Sequence, residues 1–296
     1  MMNEHSGSSR WQRHEAKYLI DEKQAATIRR YARDHLPLDP HAQCQQNNEY
    51  PILSTYLDSH SRQLLRQAIL RQVSRHKLRV RAYRDFNDSK VTKTSHVFLE
   101  VKRKIKGVVH KTRARVTSDL ADALMWSQND IVNNTQIRRM PELGDALIWR
   151  QSELADTMIW CQSGLFEDGN KLDDVTRMNV DEFAQLRRRI NARPMVGTFY
   201  VREAYEGDSL ERVRITMDRK LHYGVIPSPE SGQQEVWWPA NPGGVILEIK
   251  FSNTYPFWVA NMLRRVEILR RGVCKYVICS QAACRMERKT FEQGVV

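Results

Sequence analysis

Lys77, Arg79 and Arg81 alternate with Leu78, Val80 and Ala82 in the stretch HKLRVRAYRD, residues 76–85. A period of two belongs to a strand whose successive side chains point to opposite faces, so one face carries three cations and the other is apolar. After a polar turn, HVFLEVKRK (96–104) repeats the device, with Glu100, Lys102 and Lys104 on one parity and Leu99 and Val101 on the other. In VVHKTRARV (108–116), Lys111, Arg113 and Arg115 again share a face. Cations held in rows need something anionic to face. Arg offers a planar fork that matches phosphate at two points, and Lys supplies a movable point charge.

The same signature recurs outside this stretch. WQRHEAKYLI (11–20) places Arg13, Glu15 and Lys17 on one parity, and MVGTFYVREAY (195–205) does so with Thr198, Tyr200, Arg202 and Ala204. A Gly-Asp-Ser turn leads into SLERVRITMD, with Arg212, Arg214, Thr216 and Asp218 facing away from Val213, Ile215 and Met217, which reads as a hairpin. VILEIKF sets Ile246, Glu248 and Lys250 opposite Val245, Leu247 and Ile249. Alternation this regular over eight or nine short strands is expected of a closed barrel with charges inside and apolar faces outside under helices. An interior of unpaired cations is not stable dry, so such a barrel must hold water and polyanion.

The elements that would position these strands are also readable. Residues 21–36 form an amphipathic helix ending before Pro37, followed by a polar loop and the strand ILSTYLDS (52–59). SRQLLRQAIL (61–70) is a short helix. From about Thr117 to Arg193, Leu120, Leu124, Trp126, Leu143, Leu147, Trp149, Leu154, Met158 and Trp160 recur near helical spacing, which predicts a helical insertion closed by the run Arg187–Arg189. A helix follows at 253–269, and GVCKYVICS (272–280) reads as a last short strand. Residues 1–10 and 281–296 read as tails.

At 296 residues the chain accommodates one large domain with an insertion, and 47 Lys+Arg against 35 Asp+Glu leave +12, which suggests phosphate, nucleic acid or an anionic membrane as partner. The five cysteines form no C-x-x-C pair and no apolar leader precedes them, so reduced thiols in a cytoplasm are expected. No apolar run approaches the ~20 residues needed to cross a bilayer. His14-Glu15 lacks a second His four residues on, which excludes a zincin.

Taken in order, E-x-K (Glu15, Lys17), S-x-Y-x-D-S (Ser54–Ser59), K-x-R-x-R (Lys77, Arg79, Arg81), L-E-x-K-R-K (Leu99–Lys104), Y-x-R-x-A-Y (Tyr200, Arg202, Tyr205), R-x-T-x-D (Arg214, Thr216, Asp218), L-E-x-K-F (Leu247, Glu248, Lys250, Phe251) and K-Y (Lys275, Tyr276) resemble the VTC-type polyphosphate polymerase domain, one of the triphosphate tunnel metalloenzymes. The resemblance runs from about residue 11 to 280. It implies an α+β fold with a closed antiparallel eight-stranded tunnel that binds triphosphate with Mn2+ or Mg2+.

Carried over position by position, the resemblance makes Lys17, Arg79, Arg81, Lys102, Arg202, Arg214 and Lys275 the phosphate ligands. Tyr200 becomes a hydrogen-bond donor beside them, and Glu248 the metal-binding carboxylate. Arg212, Lys104 and Lys250 complete the expected substrate-binding set. Two departures stand out: Cys274 precedes the final Lys-Tyr where relatives often have Ser, and the regulatory domain and membrane helices of eukaryotic relatives are missing from this sequence. The implied partners are ATP and inorganic polyphosphate or tripolyphosphate, with no stable nucleic-acid partner and no transmembrane segment; a membrane-protein partner is left open. Polymerase, triphosphatase and non-catalytic polyphosphate or RNA binder all need the same cations, and the residues alone do not separate them.

Overall fold

The computed structural model describes residues 13–45, 47–83, 96–106, 108–126, 147–148, 159–160, 173–207, 213–226, 236–252, 254, 256–268 and 271–292. The chain divides into two compact units. The first draws on residues 1–51, 200–221 and 241–274, and the second on 52–199, 222–240 and 275–296.

In the first unit, β1 (Arg13–Ile20), β11 (Val245–Ser252) and the start of β9 (Arg214–Val225) pair antiparallel, and the later half of β8 (Arg193–Glu206) belongs with them. Period-two alternation sorts their side chains. Ala16, Tyr18 and Ile20, Val245, Leu247 and Ile249, and Ile215 and Met217 join one buried core with Ala25, Ile28 and Ala32 of α1 (Glu22–His35) and Val259, Met262 and Val266 of α6 (Phe257–Val266). Each fully buried Val, Leu, Ile or Met side chain among them contributes about 1.5–3 kcal/mol. The opposite parity carries the charges.

Helix α1 starts where the sequence says it should. Asp21 accepts a hydrogen bond from the Gln24 amide, and the Gln24 side chain reaches back to the Asp21 amide, a reciprocal cap. Arg29 holds buried Glu203 of β8 through two nitrogens at 2.7 and 2.9 Å, which fixes the helix on the sheet. Ahead of β11 the chain turns at Gly243 and Gly244, with φ of 87° and 155°. A Cβ at Gly244 would lie 2.3 Å from the Ile20 carbonyl oxygen, so only glycine lets β11 enter its register beside β1.

The second unit pairs β2 (Glu49–Asp58, from Ile52 onward), β3 (Arg75–Tyr83), β4 (His96–Ile105) and β5 (Val108–Thr117) antiparallel. Leu78, Val80, Leu99, Val101, Ala114 and Val116 pack beneath α4 (Ser118–Trp126) and α5 (Asp174–Arg189), where Leu120, Leu124, Val180 and Phe183 are buried. Helix α3 (Gln63–Ile69) follows β2, and β10 (Val236–Pro239) pairs with the end of β9. The short α2 (Pro40–Gln43), in the first unit, occupies part of the expected polar loop.

Two expectations need correction. The main sheet runs β1-β11-β9-β8-β2-β3-β4-β5, with β10 attached to β9; among the described residues its ends, β1 and β5, are not paired, so the sheet is open rather than a closed eight-stranded tunnel. The outer strand is exposed along most of its first half and carries Lys111, Arg113 and Arg115, the composition of a protected edge.

GVCKYVICS is not a strand. Lys275 begins α7 (Lys275–Glu292), because Tyr276, Cys279 and Ala282 recur at helical spacing and are buried, and the apolar run is only its first turns. Residues 281–292, read as tail, continue this helix.

Within 117–193, α4 and α5 lie at the two ends, but Leu147–Ile148 and Ile159–Trp160 pair as the small strands β6 and β7. Leu143, Trp149, Leu154 and Met158 lie outside the described residues, as do residues 1–10. No described helix is long and apolar enough to cross a membrane.

Candidate functional site

In the second unit, the strand register turns alternation into rows. Arg79 stands opposite Glu100, and Glu100 opposite Arg113. One row over, Lys77, Lys102 and Lys111 line up; on the other side Arg81, Phe98 and Arg115 do. Three lysines thus stand directly opposite one another, a row of like charge across three strands.

Glu100 is only 1% exposed. Its carboxylate lies 2.6 Å from Arg79 Nε, 2.7 Å from Lys111 Nζ, 3.3 Å from Arg113 Nε and 3.9 Å from Arg81 Nε. Burial alone would push this carboxyl up, but Arg79, Arg81 and Lys111 outweigh it and hold it well below the usual carboxylate range. Neutral groups fix the cations further. Arg79 Nη1 donates to Tyr56 Oη at 3.2 Å, Arg81 Nε to Ser54 Oγ at 3.2 Å, and Arg113 sits 3.5 Å from the Phe98 ring centre with Nη2 on Tyr83 Oη.

Lys275 is placed by its neighbour. Tyr276 stacks on Tyr56 with ring centres 4.6 Å apart and donates its hydroxyl to Asp58 at 2.6 Å. Fully buried Asp58 also accepts from the Leu64 and Leu65 amides at the start of α3. Lys104 stands opposite Arg75 and Val109, further along β4.

The first unit holds its own charged face. Lys17 stands opposite Glu248, which stands opposite Thr216; Glu15, Lys250 and Arg214 form the adjoining row. Lys17 Nζ lies 2.9 Å from both Glu15 and Glu248, and Lys250 Nζ lies 2.9 Å from the other Glu248 oxygen. Burial would lower the Lys17 pKa, yet Glu248 and Glu15 raise it above its ordinary value, so the ammonium stays charged. Arg202, 8% exposed, meets Asp218 through Nε at 2.7 Å and Nη2 at 2.9 Å, and its guanidinium lies 5.4 Å from the Tyr200 ring centre. Burial opposes the charge on Arg202, and Asp218 and Tyr200 restore it. Arg214 is held by Asp39 at 2.8 Å and Glu206 at 3.1 Å.

Thus Arg79, Arg81 and Lys102 share one face of the second unit, and Lys17, Glu248 and Lys250 one face of the first. Arg212 lies outside the described residues. Sequence reasoning missed Asp39, which also accepts from Tyr50 and caps α2, and the aromatic supports Tyr56, Tyr83 and Phe98. Their parity with the cations was a signal, but only the register shows whom they touch.

The sequence model of the VTC domain family matches residues 12–284. The chain belongs to the VTC domain family. The match spans the stretch over which the motifs carry the resemblance. Among solved structures, this VTC domain is similar to the PH1819 protein of Pyrococcus horikoshii OT3, at 11% identity over 93% of this chain and 98% of that one, TM-score 0.39. It is similar to a putative adenylate cyclase of Bacillus halodurans at 11% identity over 88% and 92%, TM-score 0.40. A putative adenylyl cyclase from Hippeastrum, described as having a dominant triphosphatase activity, aligns at 14% identity over 91% and 96%, TM-score 0.41. No curated protein matches the chain.

The donor set of this VTC domain bears on the divalent metal implied for it. Among the described residues, no three His, Cys, Asp or Glu side chains converge as a self-sufficient metal cage. Mg2+-type sites, however, commonly use one or two carboxylates together with substrate phosphates. Glu248 and Glu15 converge on the Lys17 ammonium, and opposite Glu248 the buried Thr216 hydroxyl has no hydrogen-bond partner among the described residues. All are hard oxygen donors, and they fit a cation that phosphate helps to hold.

Proposed function

We propose that this VTC domain is an ATP-dependent polyphosphate polymerase. The observation that carries this reading is the family match over residues 12–284, together with cation rows in each unit on the positions the motifs mark. In the reaction, a terminal oxygen of the growing chain attacks the γ-phosphorus of ATP; the bond from that phosphorus to the β,γ-bridging oxygen breaks, and ADP leaves. Such transfer asks little covalent work of a protein and depends on placement and on charge around the equatorial oxygens.

In this reading Lys17, Arg79, Arg81, Lys102, Arg202, Arg214 and Lys275 bind phosphate, with Tyr200, Arg212, Lys104 and Lys250 as further substrate contacts. Glu248 would hold Mn2+ or Mg2+, which when bound offsets negative charge on the phosphates. The proposed compartment is the cytoplasm, in keeping with Cys44, Cys274, Cys279 and Cys284 standing as reduced thiols outside any disulfide.

The test is to incubate the purified protein with ATP, Mn2+ and pyrophosphate as primer. Long phosphate chains with stoichiometric ADP support the polymerase. Free phosphate without chains makes it a triphosphatase, and tight tripolyphosphate binding with neither product makes it a binder.

A further inference from the structure

Four cations from two strands of the second unit converge on one carboxylate. Arg79 and Arg81 approach Glu100 from β3, Lys111 and Arg113 from β5, all within 4.0 Å. Left to themselves, four like charges on neighbouring strand positions would splay toward solvent, since each pair repels and each long side chain gains rotamer freedom by leaving. One ionised, buried carboxylate at the centre reverses that balance. It does not neutralise the set, because four cations surround a single negative charge. What it fixes is direction, as Arg79 and Arg113 each turn Nε to Glu100 while Tyr56 and Tyr83 take a further nitrogen from each.

We propose that Glu100 is a positioning residue that sets the geometry of Arg79, Arg81, Lys111 and Arg113 for a phosphate chain, without itself touching metal or phosphate. This rests on the reading of Arg79 and Arg81 as phosphate ligands. Removing the Glu100 charge therefore moves binding and turnover in opposite directions. The face becomes more positive, so a polyanion is drawn to it at least as strongly; the guanidinium planes keep only their neutral partners and are held less firmly, so fewer bound molecules have their phosphates aligned. Misplacement of reacting groups by about 1 Å costs up to about a hundredfold in rate.

Three measurements on wild type, Glu100→Gln and Glu100→Asp test this. In the free protein, NMR of the arginine side chains reports whether Arg79 and Arg113 Nε–H are held: they exchange slowly in wild type and fast in Glu100→Gln. Tripolyphosphate calorimetry at low salt shows binding unchanged or tighter in Glu100→Gln and unchanged in Glu100→Asp. With ATP and Mn2+, kcat falls in the order wild type, Asp, Gln, by roughly tenfold or more at the end of the series, while KM changes far less. The Asp variant keeps the charge and draws the carboxylate back by one methylene, so it carries the test even where the Gln variant does not fold.

Wild-type kcat in both variants overturns the proposal, as does a loss of turnover matched by an equal loss of tripolyphosphate binding, or unchanged Nε–H exchange. A wild-type protein that binds no tripolyphosphate instead removes Arg79 and Arg81 from the phosphate site, whatever the variants do.

Discussion

The Tyr276 hydroxyl donates to the Asp58 carboxylate across 2.6 Å, and both groups are buried. The two residues are 218 apart in sequence, yet this contact fixes where α7 begins and so where Lys275 stands. Asp58 meanwhile caps α3 through two amides. Tyr276→Phe removes one donor from a buried carboxylate and is expected to cost about 1–3 kcal/mol. Urea unfolding measures the loss. A variant as stable as wild type would show that water replaces the phenol at no cost.

Arg79→Ala and Arg81→Ala are expected to lower turnover roughly tenfold or more each, as a charge-assisted hydrogen bond is worth about 1.5–3 kcal/mol. The fold should survive, because Lys111 and Arg113 remain on Glu100. Val80→Ala, on the apolar face between them, is expected to do the reverse: melting falls by an amount equivalent to about 1–3 kcal/mol while kcat is kept. Unfolding of both arginine variants, judged by circular dichroism, would make these residues structural ion-pair partners only.

The rows of cations were legible because a strand's two faces are written directly into the alternation of residues 77–82 and 99–104. The start of α1 was legible for a similar reason, since Asp21 and Gln24 cap locally. What sits opposite what was not. Pairing Arg79 with Glu100, or Arg214 with Asp39 across 175 residues, depends on register and on backbone far away in the chain. Closure of the sheet was misjudged because alternation is identical in an open sheet whose edge strand is guarded by charge. The last apolar run misled because nine residues do not distinguish a buried strand from the first turns of a helix.

Glu248→Gln keeps shape and removes charge. It is expected to bind tripolyphosphate at least as well as wild type, while losing most turnover and its dependence on Mn2+. Calorimetry beside a Mn2+ titration of product formation checks both. Wild-type activity with unchanged metal dependence would leave Glu248 only as the partner of Lys17 and Lys250.

Asp122, on α4, has its pKa pushed up to about 6 by burial and by Asp119, from the ordinary 3.8. The folded state therefore holds this proton more tightly than the unfolded chain does. Its contribution is complete below about pH 4 and is lost as pH rises through about 6. Asp122→Asn is expected to flatten this decline and to raise the melting temperature above pH 6. Parallel melting curves of the two proteins from pH 4 to 7 would contradict it.

The exposed outer strand β5 has a consequence for solution behaviour. Two copies laid edge to edge would bring Lys111, Arg113 and Arg115 of one against the same residues of the other, so electrostatics opposes pairing through this edge. A bound polyanion cancels that protection, and the strand's exposed Val108 and Val109 then become adhesive. Sedimentation with increasing tripolyphosphate should show dimers or larger species appearing near charge equivalence and dissolving again in excess, a re-entrant behaviour that Lys111→Glu in the same strand would suppress.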